Sequence, residues 1–188
     1  MSKPVRPDMR AHVLKAALQA IEELGFDRLR VQDIADRAGM STGHVLYYFG
    51  SRDRILISTL LLSEADLDER RRTGLAGLAP RAALAEFVAL YLPRGADDVR
   101  WRLWAQAIAR PPEDDETLLK LDGFFRAWAG ELAGILRACA PVADPDELAA
   151  RACRLMDGLA SEVLLRIPGH DAAWARATAL AAIEAGLS

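Results

Sequence analysis

Residues able to act as nucleophiles, general bases or metal ligands are few and scattered along this 188-residue chain. The histidines and cysteines are His12, His44, Cys139, Cys153 and His170. Catalysis requires a nucleophile, a base and an orienting group within hydrogen-bond reach, and neither cysteine has a histidine near it in sequence. The sequence contains no Cys/His spacing typical of a metal site and no glycine-rich phosphate loop. We therefore predict neither an enzyme nor a metal or cofactor site.

Polar side chains suited to hydrogen bonding are instead concentrated on one short segment, residues 31 to 54. The candidates are Gln32, Ser41, Thr42, Gly43, His44, Tyr47, Tyr48 and Arg52. Such groups can contact DNA: those nearest base edges would read sequence, and the others would contact phosphates. We place Thr42, Gly43, His44 and Tyr47 nearest the bases, and Gln32, Ser41, Tyr48 and Arg52 nearest the phosphates, with a base edge as the alternative for Gln32.

The apolar residues of the same segment predict the element that would carry these groups. Helical spacing indicates two short helices separated by Gly39, a residue suited to the left-handed conformation that ends a helix. Ser41 or Thr42 can cap the second helix. The apolar faces contain Val31, Ile34, Ala35, Ala38, Val45, Leu46 and Phe49. This is the helix-turn-helix pattern, whose second helix enters the major groove. An αα-hairpin that only packs is the alternative.

The stretch IADRAGMSTGHVLYYFGSRDRIL resembles the DNA-binding signature of the TetR family of bacterial transcriptional regulators. The matching residues are Ile34, Ala35, Ala38, Gly39, Ser41, Gly43, Tyr48, Phe49 and Leu56, with Arg52 at a Lys-type position. STGHVLYYFGSRD is most similar to the BetI-like branch. Arg30 stands where the family usually has a Thr or Ser cap, and Asp33 in the first turn can compensate. The resemblance implies a helix-turn-helix domain over residues 1–50 and an effector-binding and dimerisation domain over 51–188.

The remainder of the chain is also predicted to be helical. Ala and Leu dominate, β-branched runs are scarce, and Pro and Gly breaks leave nine helical segments, so we expect an all-α fold. No apolar run reaches membrane-spanning length and no signal peptide is evident, so we expect a soluble, cytoplasmic protein. Arg70, Arg71 and Arg72 are expected to form a solvated face.

Net charge is −3, but its distribution is uneven. Residues 1–52 hold eight basic and six acidic residues, whereas the remainder holds sixteen and twenty-one. Positive charge therefore lies toward the end that would meet phosphates.

Seven of the twelve aromatic residues lie between residues 87 and 128: Phe87, Tyr91, Trp101, Trp104, Phe124, Phe125 and Trp128. The family encloses a small-molecule cavity in this region, so the resemblance implies an aromatic-lined effector site; the alternative is that they fill a core. Three acids near apolar stretches, Asp122, Asp157 and Glu162, could meet a cationic ligand. Helical spacing favours pairing them with Arg126, Arg154 and Arg166 instead.

The last two helical segments carry more apolar positions than one face can bury. By resemblance they form a homodimer interface, with Leu155, Leu159, Val163 and Leu180 as candidates, and a symmetric dimer implies a palindromic operator. The predicted function is a ligand-responsive regulator, a repressor released from double-stranded DNA by an unidentified small molecule. The alternative is a helical small-molecule-binding or partner-docking protein without DNA binding, favoured by the net charge and the missing cap.

Overall fold

The computed structural model describes residues 7–26 and 28–187, and helices form the whole of its regular structure over those ranges. In chain order they are α1 (Pro7–Leu24), α2 (Val31–Arg37), α3 (Thr42–Phe49), α4 (Arg52–Leu75), α5 (Pro80–Tyr91), α6 (Val99–Ala109), α7 (Asp115–Cys139), α8 (Pro145–Leu164) and α9 (Ala172–Ala185). The predicted all-α, nine-helix fold is confirmed. None of the described helices is both long and apolar enough to cross a membrane.

Helices α1 to α3 pack around a small apolar core. Val13, Ile34 and Val45, from α1, α2 and α3 respectively, are fully buried there. The turn between α2 and α3 depends on Gly39, whose φ of 65° confirms the left-handed conformation predicted for it. The amide of Met40 then donates to the carbonyl of Ala35 at 2.9 Å, a bond that closes the end of α2. This turn fixes the angle at which α3 leaves α2.

The first turns of α2 and α3 are closed by different side chains. Ser41 caps α3, because its hydroxyl oxygen accepts from the His44 amide at 3.2 Å. At the start of α2 the Asp33 carboxylate accepts from the Arg30 amide at 2.7 Å. Asp33 therefore compensates for the missing Thr or Ser cap, as predicted.

Helix α4 connects the helix-turn-helix to the rest of the molecule. Its N-cap is Ser51, which accepts from the Arg54 amide at 3.2 Å. The helix contacts α1 and α3 as well as α5, α6 and α7. Because α4 packs against both parts of the chain, the fold sets no boundary at residue 50, and the division into 1–50 and 51–188 stays a prediction.

The buried side of α4 carries two charged residues, Glu64 and Arg71, which are 1% and 4% exposed. Our prediction of a solvated face at residues 70 to 72 is thus wrong for Arg71. Helix α7 passes over this end of α4, so the Arg71 guanidinium donates to the Ala127 carbonyl at 3.2 Å. It also lies 4.7 Å from the ring centre of Trp128. Arg70 and Arg72 remain exposed.

Helices α5 to α9 form the larger part of the core. Helix α7 packs against α5 and α8, and α8 packs against α9. Acidic N-caps begin four of the five: Asp98 for α6, Asp114 for α7, Asp144 for α8 and Asp171 for α9. Pro80 begins α5 instead, as its fixed φ allows. This arrangement brings the aromatic residues of α5, α6 and α7 next to α8.

Candidate nucleic-acid interface and ligand cavity

The outward side of α3 presents a ridge of polar and aromatic groups. Gly43 and His44 are exposed, and 67% of Tyr47 is accessible to solvent. Tyr48 is half-buried, and its hydroxyl lies 3.0 Å from Nε2 of His44. The Tyr47 and Tyr48 rings meet edge to face with centroids 5.5 Å apart. Because Val45 and Phe49 anchor the opposite side of α3 in the core, the ridge projects from a rigid element.

Three further candidates lie where α2 meets α3. The Thr42 hydroxyl donates to the side-chain carbonyl of Gln32, and the Gln32 amide donates to Asp36 at 2.5 Å. These bonds fix the orientation of Gln32 and Thr42 relative to α3. Ser41 is exposed, but its hydroxyl oxygen is engaged as the α3 cap.

Arg52 is placed differently from our prediction of a phosphate contact. Its Nε donates to the Leu29 carbonyl at 3.2 Å and its Nη2 to the Phe26 carbonyl at 3.1 Å. The guanidinium also lies 5.9 Å from the Phe26 ring centre. The first turn of α4 faces these carbonyls, so Arg52 holds the α1–α2 connection, and its contact with a phosphate stays a prediction.

A cavity of about 150 Å³ lies between α5, α6, α7 and α8, and its surface is almost entirely carbon. Five of the seven predicted aromatic residues line it: Tyr91, Trp101, Trp104, Phe125 and Trp128. The other two lie outside its wall. Phe87 is fully buried and packs edge-on against Trp128 with centroids 5.2 Å apart, and Phe124 packs against the main core. Phe87 and Phe124 therefore fill a core, which was the alternative to a ligand site.

The remaining cavity residues were not among the predicted site residues, although Asp157 was one of three acids considered as partners of a cationic ligand. They are Arg100, Ala105, Ile108, Asp157, Ser161 and Leu164. Ala105 and Ile108 follow Trp101 at helical spacings of four and seven, which was an available signal. Those on α8 could not be found this way, because they meet the aromatic residues only through tertiary packing.

Asp157 supplies a carboxylate to this apolar cavity. Its Oδ1 accepts from the Tyr91 hydroxyl at 2.7 Å. Burial raises the pKa of Asp157, although the Tyr91 hydrogen bond and the charges of Arg100 and Arg154 oppose that shift. Burial likewise raises the pKa of Tyr91, and it raises the pKa of the neighbouring Cys153 thiol to about 12. The thiol is therefore kept protonated and is a poor nucleophile.

The acids near the apolar stretches pair differently from our expectation in two of three cases. Asp122 does pair with Arg126, at 2.7 Å. Glu162 contacts His170 at 2.5 Å, and Arg166 contacts Asp97 at 2.8 Å. Asp157 bonds to Tyr91 rather than to Arg154, because its side of α8 faces the cavity. Asp157 is thus the acid placed to meet a ligand.

A second carboxylate, Glu64 of α4, lies behind the aromatic wall. Its Oε1 accepts from Arg100 Nε at 2.6 Å and from Trp104 Nε1 at 2.7 Å. Its Oε2 accepts from Trp128 Nε1 at 3.3 Å. Glu64 was not among the predicted site residues. The available signal was its spacing, because Leu60, Glu64 and Leu67 share one helix face.

A larger cleft, of about 680 Å³, lies between the start of α4 and the α6–α7 connection. It is open and lined by charges of both signs, among them Arg54, Glu113 and Lys120. Arg110 and Asp53 bridge it with an ion pair at 3.1 Å. A surface that is mostly polar and of mixed charge is poorly suited to retain a small molecule, so the smaller cavity is the candidate ligand site.

The four predicted dimer residues occupy two different sides of their helices. Leu155 of α8 is 39% exposed and Leu180 of α9 is half-buried. Leu159 and Val163 are only 6% and 2% exposed within a single protomer. Their side of α8 faces its own core, so neither is available to a partner, and this corrects our assignment.

Within the described ranges, no group of three His, Cys, Asp or Glu residues could hold a metal ion.

Comparison with known proteins gives two family matches. Residues 13–59 match the model described as bacterial regulatory proteins, tetR family, and residues 80–188 match that of the BetI-type transcriptional repressor, carboxy-terminal part. The HTH-type transcriptional regulator BetI 2 of Chromohalobacter salexigens is 29% identical over 181 residues, covering 92% of this chain and 85% of that protein. BetI of Burkholderia mallei is 30% identical over 167 residues, covering 82% and 81%.

A solved structure resembles this one over nearly its whole length. It is a putative transcriptional regulator from Saccharomonospora viridis in complex with choline, 26% identical, with a TM-score of 0.80. The match covers 95% of this chain and 97% of that one.

Proposed function

We propose that a small quaternary ammonium compound is the effector of this chain, which belongs to the TetR family of bacterial regulatory proteins and carries a BetI-type carboxy-terminal part. The chain is a ligand-responsive DNA-binding transcriptional regulator. Binding of the cation would release the protein from its operator, so that it acts as a repressor. The observation that carries this proposal is the aromatic cavity with one carboxylate, Asp157.

The chemistry of a quaternary ammonium ion explains the fit. Such an ion has no N–H to donate, so it is bound by aromatic faces and by a nearby negative charge. Trp101, Trp104 and Trp128 supply aromatic surface and Asp157 supplies the charge. A cavity of about 150 Å³ can hold a benzene molecule, and choline is of similar size. The choline complex of the S. viridis protein supports choline as the first compound to test.

On the DNA side we infer that α3 enters the major groove. His44 and Tyr47, with Thr42 and Gly43 beside them, would lie nearest the base edges, and Gln32, Ser41 and Tyr48 nearer the phosphates. Two copies related by a two-fold axis would place two α3 helices on a palindromic operator. We infer a cytoplasmic homodimer that pairs through the exposed faces of α8 and α9.

We also infer that the chain has no catalytic activity. Regulators, not enzymes, make up the matching family. The buried Cys153 thiol is held protonated, since burial raises its pKa to about 12. Turnover of choline by the purified protein would contradict this inference.

The experiment uses a labelled fragment of the DNA upstream of the protein's own gene, with a random fragment of equal length beside it. We expect tighter binding to the upstream fragment, with an affinity that falls as salt is raised because counterions are released from phosphates. Choline should release the protein from the upstream fragment. Its uncharged isostere, the dimethylbutanol with a tert-butyl group in place of the trimethylammonium group, should not do so at equal concentration. Equal binding to both fragments would contradict operator recognition. Operator binding that choline leaves unchanged would contradict the proposed effector.

A further inference from the structure

The cavity wall contains a permanent positive charge, which should disfavour a cationic ligand. Arg100 lines the cavity, and its side chain is 13% exposed. Its guanidinium lies 5.3 Å from the ring centres of both Trp101 and Trp128. It therefore occupies aromatic surface of the kind that a ligand cation would use. An arginine cannot lose its charge by deprotonation, so some other group must offset it.

We propose that Glu64, a residue of α4 outside the cavity wall, is the positioning residue that makes this cavity select cations. The inference rests on the proposed function, since it concerns the charge preference of the same effector site. Glu64 acts through Arg100, whose Nε it binds at 2.6 Å, and it does not line the cavity.

Charge at the site gives the first argument. Asp157 and Glu64 are acidic and Arg100 is basic, so the group carries one negative charge in excess when both acids are ionised. Without Glu64 this group of three would be reduced to Asp157 and Arg100, whose charges cancel. Both partners are withdrawn from water, with the Glu64 side chain only 1% exposed, so the charge is screened far less than at the surface.

The two indole hydrogen bonds give the second argument. Trp104 and Trp128 both donate their Nε1–H groups to Glu64, at 2.7 and 3.3 Å. Each ring has this one polar hydrogen, so both rings direct their polar edge to Glu64 and away from the cavity. One carboxylate thus neutralises the wall cation and also leaves carbon surface for the ligand.

The test measures the dissociation constants of choline and of dimethylbutanol for each variant, and takes their ratio as the cation preference. We expect the wild type to favour choline. Glu64→Gln should lower that preference by roughly tenfold or more, since it removes the carboxylate bonded to Arg100 and with it the excess negative charge of the group. Glu69→Gln is the matched control, because Glu69 lies on the same helix with its side chain 61% exposed, and its ratio should equal that of the wild type.

Two further variants keep the proposal testable if Glu64→Gln folds poorly. Arg100→Gln alone should raise the cation preference, because both carboxylates then act without a compensating cation. The double variant Glu64→Gln with Arg100→Gln should return the ratio to near that of the wild type. Circular dichroism of each variant confirms that it is folded.

Three outcomes overturn the proposal. If Glu64→Gln weakens both ligands equally, Glu64 has only a structural role. If Arg100→Gln leaves the ratio unchanged, the cavity does not sense these charges. In both cases the quaternary ammonium effector still stands, because the wild type prefers choline. A wild type without preference for choline over its isostere would overturn the proposed effector class, and this inference with it.

Discussion

Asp157 is the residue whose protonation should govern ligand binding. Its carboxyl group faces Tyr91 of α5, Arg100 of α6, and Cys153 and Arg154 on its own helix. Burial is the largest influence and raises its pKa above the ordinary 3.8. The carboxyl therefore takes up a proton at a higher pH than an exposed aspartate would, and the protonated form offers no charge to a cation.

We predict that choline affinity of the wild type falls as pH is lowered through this raised pKa. Asp157→Asn should bind choline at least about tenfold more weakly at neutral pH, and this part of the pH dependence should be absent. Calorimetric titrations at several pH values would measure both effects. An asparagine variant whose affinity follows pH as the wild type does would contradict the role of Asp157.

The same shift has a consequence for folding. A pKa raised in the folded state means that the native protein binds the proton more tightly than the unfolded chain, so stability is lost as pH rises through that pKa. Asp157→Asn can still accept from the Tyr91 hydroxyl. Its melting temperature at neutral pH should therefore equal or exceed that of the wild type.

Tyr47 is the α3 residue best placed to test sequence recognition. Its side chain is 67% exposed, so Tyr47→Ala should change the free energy of unfolding by less than about 0.5 kcal/mol. It should reduce discrimination between operator and random DNA by roughly 1–3 kcal/mol. Binding curves on both fragments at one salt concentration provide the measurement. Equal losses on the two fragments would show that Tyr47 does not contact a base edge.

At the scale of elements, the first turn of α4 serves to hold the helix-turn-helix together. Arg52→Ala removes the hydrogen bonds to the Leu29 and Phe26 carbonyls in the α1–α2 connection. We therefore expect a loss of about 1–3 kcal/mol in the free energy of unfolding. Arg54→Ala, in the same turn but exposed, is the control and should cost less than about 0.5 kcal/mol. Thermal denaturation compares them. If Arg52→Ala melts like the control yet loses DNA affinity, Arg52 contacts phosphate as first predicted.

Helices could be predicted well from sequence because their signals are local. Gly39, Ser41 and Pro80 mark helix ends through backbone geometry that involves only nearby residues. The inward charges could not be assigned in the same way. Glu64 meets partners that lie 36, 40 and 64 positions away, and periodicity shows only which face is apolar. Its position between Leu60 and Leu67 indicates that Glu64 is buried, but this spacing does not show that Arg100 is its partner.

In the candidate site, too, local signals could be predicted from the sequence and long-range contacts could not. Clustering of aromatic residues on three helices indicated the cavity, and five of the seven line it. Phe87 and Phe124 have the same chemistry and similar spacing, so only the packing of α5 and α7 separates core from wall. Asp157 could be identified as an acid in an apolar stretch, but its partner Tyr91 lies 66 positions away.

At the scale of the whole molecule, assembly depends on which apolar groups a single protomer leaves exposed. Leu155 and Leu165 of the α8 region are 39% and 71% exposed, whereas Leu159 is buried. We predict a dimer at micromolar concentration that Leu155→Arg dissociates, because an unpaired charge in an apolar contact is strongly disfavoured. Light scattering measures the mass of each species.

The control for assembly is Leu119→Arg. Leu119 is 64% exposed near the start of α7, a helix that is not part of the proposed pairing surface, so this variant should remain a dimer. A wild type that scatters as a monomer would contradict the predicted assembly. Dissociation by both substitutions alike would place the contact elsewhere.

The unequal exposure of the cavity wall bears on how such a protein could acquire a new effector during evolution. Trp101, Trp104 and Trp128 are buried and hydrogen-bonded, so changing them would disturb folding together with binding. Ile108 and Phe125 line the same cavity but are 75% and 45% exposed. Substitutions there would alter the shape of the cavity wall at little cost in stability. If the cavity is the effector site, these two positions are where a change of ligand would cost the fold least.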